Sequence, residues 1–224
     1  MVVQYWGSLK RYTSTLAALD TLINRRITLL NTLAWADRND RELMDLYAST
    51  TPRGVAFAYC MAEGNETAHH WQVFADHGFG VCIAFDKARL IEAVSLDPAI
   101  KHGSMSYVNW RDLSLEKPFH ALPFIKRQVF RAEREYRLVA VPDAPFEEPS
   151  YNLAIPLNCI TSVAMSGEVP AAHFETFRRL VRTLPDCGKL SVRHSGLLRN
   201  RRWAAAVDAA RTYQTVDDAV PDPA

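Results

Sequence analysis

The chain has no excess of either charge: 26 lysines and arginines stand against 25 aspartates and glutamates in 224 residues. Global charge therefore announces neither a nucleic acid nor a membrane surface as a partner. No stretch holds eighteen consecutive apolar residues. The opening run MVVQYWGSLKRYTS has neither a long apolar segment nor a small-residue cleavage pattern. A membrane span and a signal peptide are thus not expected. The four cysteines, Cys60, Cys82, Cys159 and Cys187, form no C-x-x-C pair. Three lie in apolar runs and read as reduced core thiols of a cytoplasmic protein, not as a disulfide framework or a zinc site. Internal repeats are absent as well.

What is present is 48% hydrophobic content, enough for one well-buried core. The expected organisation is one domain over residues 1–214 and a polar, proline-containing tail over 215–224, flexible at its end. Alternating or continuous apolar runs predict strands over residues 8–12, 27–30, 54–61, 80–85, 103–110, 135–141, 153–157, 160–165 and 190–193. Helical spacing predicts helices after a Thr13 or Ser14 cap, then over 38–47, 66–76, 87–95, 119–127, 171–184 and 201–213. In the second of these, Leu43, Leu46 and Tyr47 share a face. A proline-rich turn is expected over 143–149. Strands and helices interleave without regular alternation, so the fold class is α+β: mixed or antiparallel central sheets with flanking helices.

The most informative segment is KRQVFRAEREYRLVAV, residues 126–141. The period of two puts Glu133, Glu135 and Arg137 on one face at the start of a strand. Such a triplet suits a catalytic rim, and it equally suits a solvated ladder of ion pairs. A carboxylate near a developing oxocarbenium ion stabilises charge that exists mainly in the transition state, and a second can orient or deprotonate an acceptor. Lys10 to Ser14 form a basic strand-to-helix junction, a natural anion site. Asn39 and Asp40 are candidates for a pocket wall, with Asp37 or Asn39 as an ordinary cap. His69, His70 and Trp71 head a helix, where a histidine beside a large aromatic can stack on a flat ring. His70 and His77 are seven apart and would share a helix face, but zinc prefers a three- or four-residue spacing, so no metal site is assigned.

The runs LKRYTSTLAALDTLINRRITLLNTLAWADRND, CMAEGNETAHHWQVFADHGFGVCIAFD and PFIKRQVFRAEREYRLV, with the late SVRHSGLLRNRRW, resemble a bacterial domain-of-unknown-function family, the one numbered twenty-nine seventy-one. Its Asn-Asp pair is usually followed by proline and an acidic residue, whereas Arg41 and Glu42 follow here. More distantly, the order of basic residue, Tyr, Thr and helix, then an E-x-E strand, resembles the ADP-ribosyltransferase fold. That resemblance implies NAD as substrate, with Arg11, beside Tyr12 and Thr13, at the first-strand NAD-holding position. It implies Glu135 as the catalytic glutamate and Glu133 as the acceptor-directing one. His69, His70 and Trp71 fall nearest the middle motif. It further implies a macromolecular acceptor, protein or nucleic acid, and a role as toxin or anti-phage effector with an antitoxin or defence-system partner.

Two other readings compete. A metal-dependent nuclease would use Asp37, Asp40, Glu133 and Glu135 as oxygen ligands with Lys126 near the phosphate, although the residue after E-x-E is Tyr136 and no D…E-x-K pattern stands out. A non-catalytic module would bind a nucleotide, nucleic acid or protein, using the basic region that includes Arg199, Arg201 and Arg202.

Overall fold

The computed structural model describes residues 7–50, 54–113, 118–142, 149–197 and 200–217. Strand β1 (Ser8–Thr13) turns directly into α1 (Thr15–Asn24) and returns as β2 (Arg26–Asn31). The Ser14 hydroxyl accepts from the Ala17 N–H at 3.3 Å and caps α1; Arg25 closes it in the left-handed region, φ 52°. Each device satisfies or redirects groups that a helix end leaves unpaired. Next come α2 (Arg38–Ser49), β3 (Phe57–Glu63), α3 (Ala68–Phe74) and β4 (Val81–Asp86). Asp86 caps α4 (Lys87–Val94), accepting from the Arg89 N–H at 3.0 Å. Then follow β5 (Ile100–Ser104), β6 (Ser106–Val108), β7 (Ile125–Arg127), β8 (Glu135–Ala140), β9 (Ser150–Ala154), β10 (Ile160–Met165), α5 (Ala171–Thr183), β11 (Ser191–His194) and α6 (Arg201–Asp217).

Nine of the described strands form one mixed sheet. Only β10 and β11 run parallel in it; the other pairs are antiparallel. Its centre is β3. Strand β8 pairs with β3 from Ala62 back to Phe57, so β1 and β2 divide the opposite edge. β1 takes Glu63 and Ala62, while β2 takes Ala58 and Phe57. Beyond Lys10, β1 and β3 part company, which opens a seam beside Tyr59 and Cys60.

The two faces of the sheet are unlike, because side chains alternate along each strand. One face carries large residues, Phe57, Tyr59 and Met61 of β3 with Leu9, Ile83, Phe85, Tyr136 and Leu138. Helices α1, α4 and α5 cover it through Ala18, Leu22, Leu90, Val94, Phe174, Phe177 and Val181, forming the main core. The opposite face carries Ala58, Cys60 and Ala62 of β3. There α3 packs over β1, β4 and β10 through Trp71 and Ala75 on Tyr12, Cys82 and Ala164. Separately, α2 packs over β3 and β8 through Met44 and Ala48 on Ala58 and Val139. Small floor residues between two separated helices leave a cavity.

The α+β class and most element positions agree with the sequence pattern. The differences have local causes. The expected helix over 119–127 is instead a 3-10 segment, Phe119–Phe124, followed by β7, because Pro123 lacks the N–H an α-helix needs. The expected strand over 103–110 is broken into β5 and β6 with a 3-10 turn after them. α3 is short, and His77 lies outside it in the left-handed region, φ 53°, so His70 and His77 share no helix face. α2 buries Asp40, Met44 and Ala48, not Leu43, Leu46 and Tyr47. Most of the turn at 143–149, Arg199 and the end of the tail lie outside the described residues. α6 continues to Asp217.

Gly80 sits where α3 closes back on β1. A Cβ there would lie 2.2 Å from the Thr13 carbonyl oxygen and 2.8 Å from the Ala75 carbonyl carbon. Both neighbours are backbone and cannot swing aside. Gly80→Ala is expected to lower the unfolding free energy by about 2–3 kcal/mol, read as a shift of the urea midpoint. Gly188→Ala, with open space at that position, should leave the midpoint in place.

Candidate functional site

The cavity between α2 and α3 has a volume of about 280 Å³. This is near the lower end for small-molecule pockets, which begin at roughly 300 Å³. Its lining draws on β1 (Lys10, Arg11, Tyr12), the start of α2 (Asp37, Asp40), β3 (Cys60 to Ala62), α3 (His70, Phe74) and the β7–β8 region (Lys126, Glu133, Glu135, Arg137), with Trp35 at one side.

Its floor is a buried ion network built on Arg137, which has no exposed surface. Arg137 Nε donates to Glu135 Oε1 at 2.7 Å. Its Nη1 and Nη2 donate to the two oxygens of Asp40 at 3.0 and 2.7 Å, and Nη1 also donates to the Pro123 carbonyl at 2.9 Å. The guanidinium lies 4.7 Å from the Trp35 ring centroid. Asp40 is in the first turn of α2, where the helix dipole also favours a negative charge. Lys126 Nζ completes the network. It donates to Glu135 Oε2 at 3.0 Å and to Glu133 Oε2, and lies 3.7 Å from Asp40. Three carboxylates thus meet two cations, leaving the cluster one negative charge in excess when all are ionised.

The two glutamates are pushed in opposite directions. Burial alone would raise the Glu135 carboxyl, but Arg137 and Lys126 override it and hold the group down at about 2. Burial raises Glu133 above the usual carboxylate range despite Lys126, and the nearby Glu135 and Asp40 add to the rise. Lys126 is burdened by burial, yet the three carboxylates push it upward. Burial and the adjacent Glu135 raise the Cys60 thiol, so it stays protonated.

Glu133 is positioned through its backbone. His70 Nε2 lies 2.9 Å from the Glu133 carbonyl oxygen, which can only accept, so Nε2 carries the proton. Nδ1 then accepts from the Thr67 hydroxyl at 2.6 Å. Burial lowers the His70 pKa, in keeping with this neutral form. The ring stacks on Tyr12, centroids 5.1 Å apart and planes 11° apart. The Glu135 N–H donates to the Tyr107 hydroxyl at 2.8 Å, and its carbonyl accepts from Met105 at 2.9 Å.

Of the residues singled out from the sequence, Arg11, Tyr12, Asp40, His70, Glu133 and Glu135 converge on this cavity. Four do not line it. Thr13 ends β1 opposite Val81. Asn39 is exposed, its amide turned to Asp37 at 3.4 Å. His69 is exposed on α3. Trp71 is 1% exposed and packs edge-on against Tyr12 as core. The first strand and the strand from Glu135 do not lie side by side: β3 intervenes, in the register Lys10–Ala62–Glu135. Lys10 and Tyr12 therefore share the cavity face, whereas Arg11 reaches in through the seam. Arg11 Nη1 donates to the Cys60 carbonyl at 2.7 Å and its guanidinium covers Tyr59 at 4.6 Å, while its buried Nε has no hydrogen-bond partner among the described residues. Glu135 is likewise not the open carboxylate the triplet suggested, since each oxygen is held by a cation and the residue is 5% exposed. Lys10, part of the junction read as an anion site, lines the cavity as well, whereas sequence reasoning missed Trp35 and Phe74 as lining residues. The alternation of β1, which pairs Lys10 with Tyr12, carried the signal for Lys10.

Among the described residues no group of three or more His, Cys, Asp or Glu side chains is arranged to hold a metal ion. Lys126 sits among the carboxylates that the nuclease reading would use as ligands. The four cysteines are separate thiols. No described helix is long and apolar enough to cross a membrane. Searches against protein-family models, curated proteins and solved structures find no match to the chain.

The opposed shifts fix the sign of two substitutions. A carboxyl with a depressed folded-state pKa stabilises the fold above its unfolded value near 4.3 and loses that contribution as pH falls towards about 2. Glu135→Gln is expected to remove about 3 kcal/mol at neutral pH, with the deficit shrinking between about pH 4.3 and pH 2. For Glu133 the raised pKa means that protonation favours the fold, so Glu133→Gln should change stability by less than about 1 kcal/mol. Urea titrations at neutral pH and at pH 3 check both. Equal losses for the two variants would contradict the assignment.

Proposed function

We propose that the chain is an NAD-dependent enzyme of the ADP-ribosyltransferase kind, cleaving the nicotinamide–ribose bond and passing ADP-ribose to a macromolecule or to water. The observation that carries this reading is a pair of carboxylates, Glu133 and Glu135, with protonation pushed apart in one cavity beside the basic and aromatic residues of β1. Two titratable groups driven apart in this way divide the acid–base work of a site. The orphaned Arg11 Nε at the seam also supports a ligand there. A cavity of about 280 Å³ suits a ring and its sugar rather than a whole dinucleotide, leaving the phosphates at the mouth. The resemblance to the ADP-ribosyltransferase fold supplies the substrate and the role as toxin or defence effector.

In this scheme nicotinamide leaves as a neutral molecule with the electron pair of the N–C1′ bond. Positive charge develops on the ribose, and Glu135, held ionised in the wall, stabilises it without reorganising. The acceptor hydroxyl or water forms the new bond to C1′ and gives its proton to Glu133, whose raised pKa makes it the stronger base. His70 holds Glu133 through the backbone and takes no proton. The double clamp on Glu135 favours one other reading, a pocket that binds a nucleotide without turning it over.

Incubation with NAD should release nicotinamide, and labelled NAD should mark a cell extract or hydrolyse. Glu133→Gln is expected to slow release by about 10²–10⁴-fold with its unfolding midpoint kept. Binding of NAD without release would favour the non-catalytic pocket. Equal rates for wild type and Glu133→Gln would remove Glu133 from the mechanism.

A further inference from the structure

Two cations, Lys10 and Arg134, approach one glycine, and Lys10 lines the cavity. Gly64, φ +93°, follows the last residue of β3, and its carbonyl accepts from Lys10 Nζ. On its other side lies the Arg134 guanidinium: a Cβ on Gly64 would stand 2.6 Å from Nη1. Arg134 is exposed and adopts the left-handed region, φ 46°, which a non-glycine residue enters at an energetic cost. Its carbonyl accepts from the Glu63 N–H at 2.7 Å, which locks that conformation between Glu133 and Glu135. The same backbone turn therefore presents two glutamates inward and the arginine outward.

The nearby carboxylates are engaged elsewhere. Glu63 pairs with Lys87 at 2.7 Å, and Glu66 with Arg193 at 2.9 Å and the Ser195 hydroxyl at 2.8 Å. Among the described residues Arg134 pairs with no carboxylate. Burial first, and then the charges of Arg193 and Arg134, depress the Lys10 pKa against the pull of Cys82 and Glu66, which places all of these charges in one neighbourhood. Lys10 itself lines the cavity.

We infer that Lys10 and Arg134, on the two sides of Gly64, form a cradle for the pyrophosphate of a dinucleotide whose sugar and ring enter the acidic cavity. This rests on the reading of the cavity as a ribose and nicotinamide site. It moves the phosphate-binding role away from Arg11, whose Nη1 is spent on the Cys60 carbonyl. An arginine fork suits two phosphate oxygens, and a lysine adds a point charge. The cationic turn and the acidic floor give a ligand an orientation: anionic end at Gly64, cationic ring inside.

The test is calorimetric titration with two probes, ADP-ribose and nicotinamide riboside, at low and at physiological salt. Arg134→Asn keeps a residue that tolerates the left-handed region; Lys10→Gln tests the other side independently, and Arg182→Gln on α5 is a charge control. Each of the first two substitutions should weaken ADP-ribose about tenfold, more at low salt. Arg134→Lys should restore part of the loss, and nicotinamide riboside should bind all variants alike. If nicotinamide riboside binds while Arg134→Asn and Lys10→Gln take ADP-ribose as the wild type does, the cradle is wrong and the cavity reading survives. If ADP-ribose binds with the expected losses and nicotinamide riboside does not bind, the cradle stands and the nicotinamide reading falls. Failure of the wild type to bind either probe overturns the cradle outright.

Discussion

Arg137 is a charged side chain with no exposed surface, and the whole cavity is arranged around satisfying it. Taking a guanidinium out of water costs several kcal/mol unless its donors are met. Here they are met from three directions: Asp40 at the head of α2, Glu135 on the same strand, and the Pro123 carbonyl before β7. Trp35 covers the flat face. Each partner belongs to a different part of the chain, so the requirement of one side chain fixes α2, β7 and β8 relative to each other. Lys126 extends the network to Glu133, which brings the segment before β8 into the same cluster.

The cavity itself follows from a sheet whose two faces differ in size. Phe57, Tyr59 and Met61 fill the side that α1, α4 and α5 cover, whereas Ala58, Cys60 and Ala62 leave the other side low. Helices α2 and α3 each pack on one end of that low face and do not close over the middle. The parting of β1 from β3 beyond Lys10 adds the seam through which Arg11 enters. A polar network in a dry floor is strongly coupled to its surroundings. That coupling is why neighbouring glutamates, two residues apart, end with opposite protonation tendencies: one is paired on both oxygens, the other on one.

Much of the architecture was legible in the chain. The apolar runs of β3, β4, β8 and β10 and the caps at Ser14 and Asp86 are local signals, and local physics carries them into the fold. The segments misread were those where a local pattern competes with another constraint, as with Pro123 inside an apparent helix or the split between β5 and β6. The E-x-E-Y-R run places Glu133, Glu135 and Arg137 in the wall of the cavity. Period two alone put Glu133 on a strand face, though it lies in a 3-10 turn ahead of β8 and joins the cluster through Lys126.

The residues by themselves determined the α+β class and singled out Arg11, Tyr12, Thr13, Asn39, Asp40, His69, His70, Trp71, Glu133 and Glu135 as candidates. Only the tertiary structure decided their chemistry. Whether Glu135 is open or clamped, whether Lys10 or Arg11 shares its face, and whether Trp71 is wall or core all depend on partners distant in sequence. The reason is physical: strand periodicity and capping act over a few residues, whereas desolvation, ion pairing and register are set by groups the chain brings together only when folded.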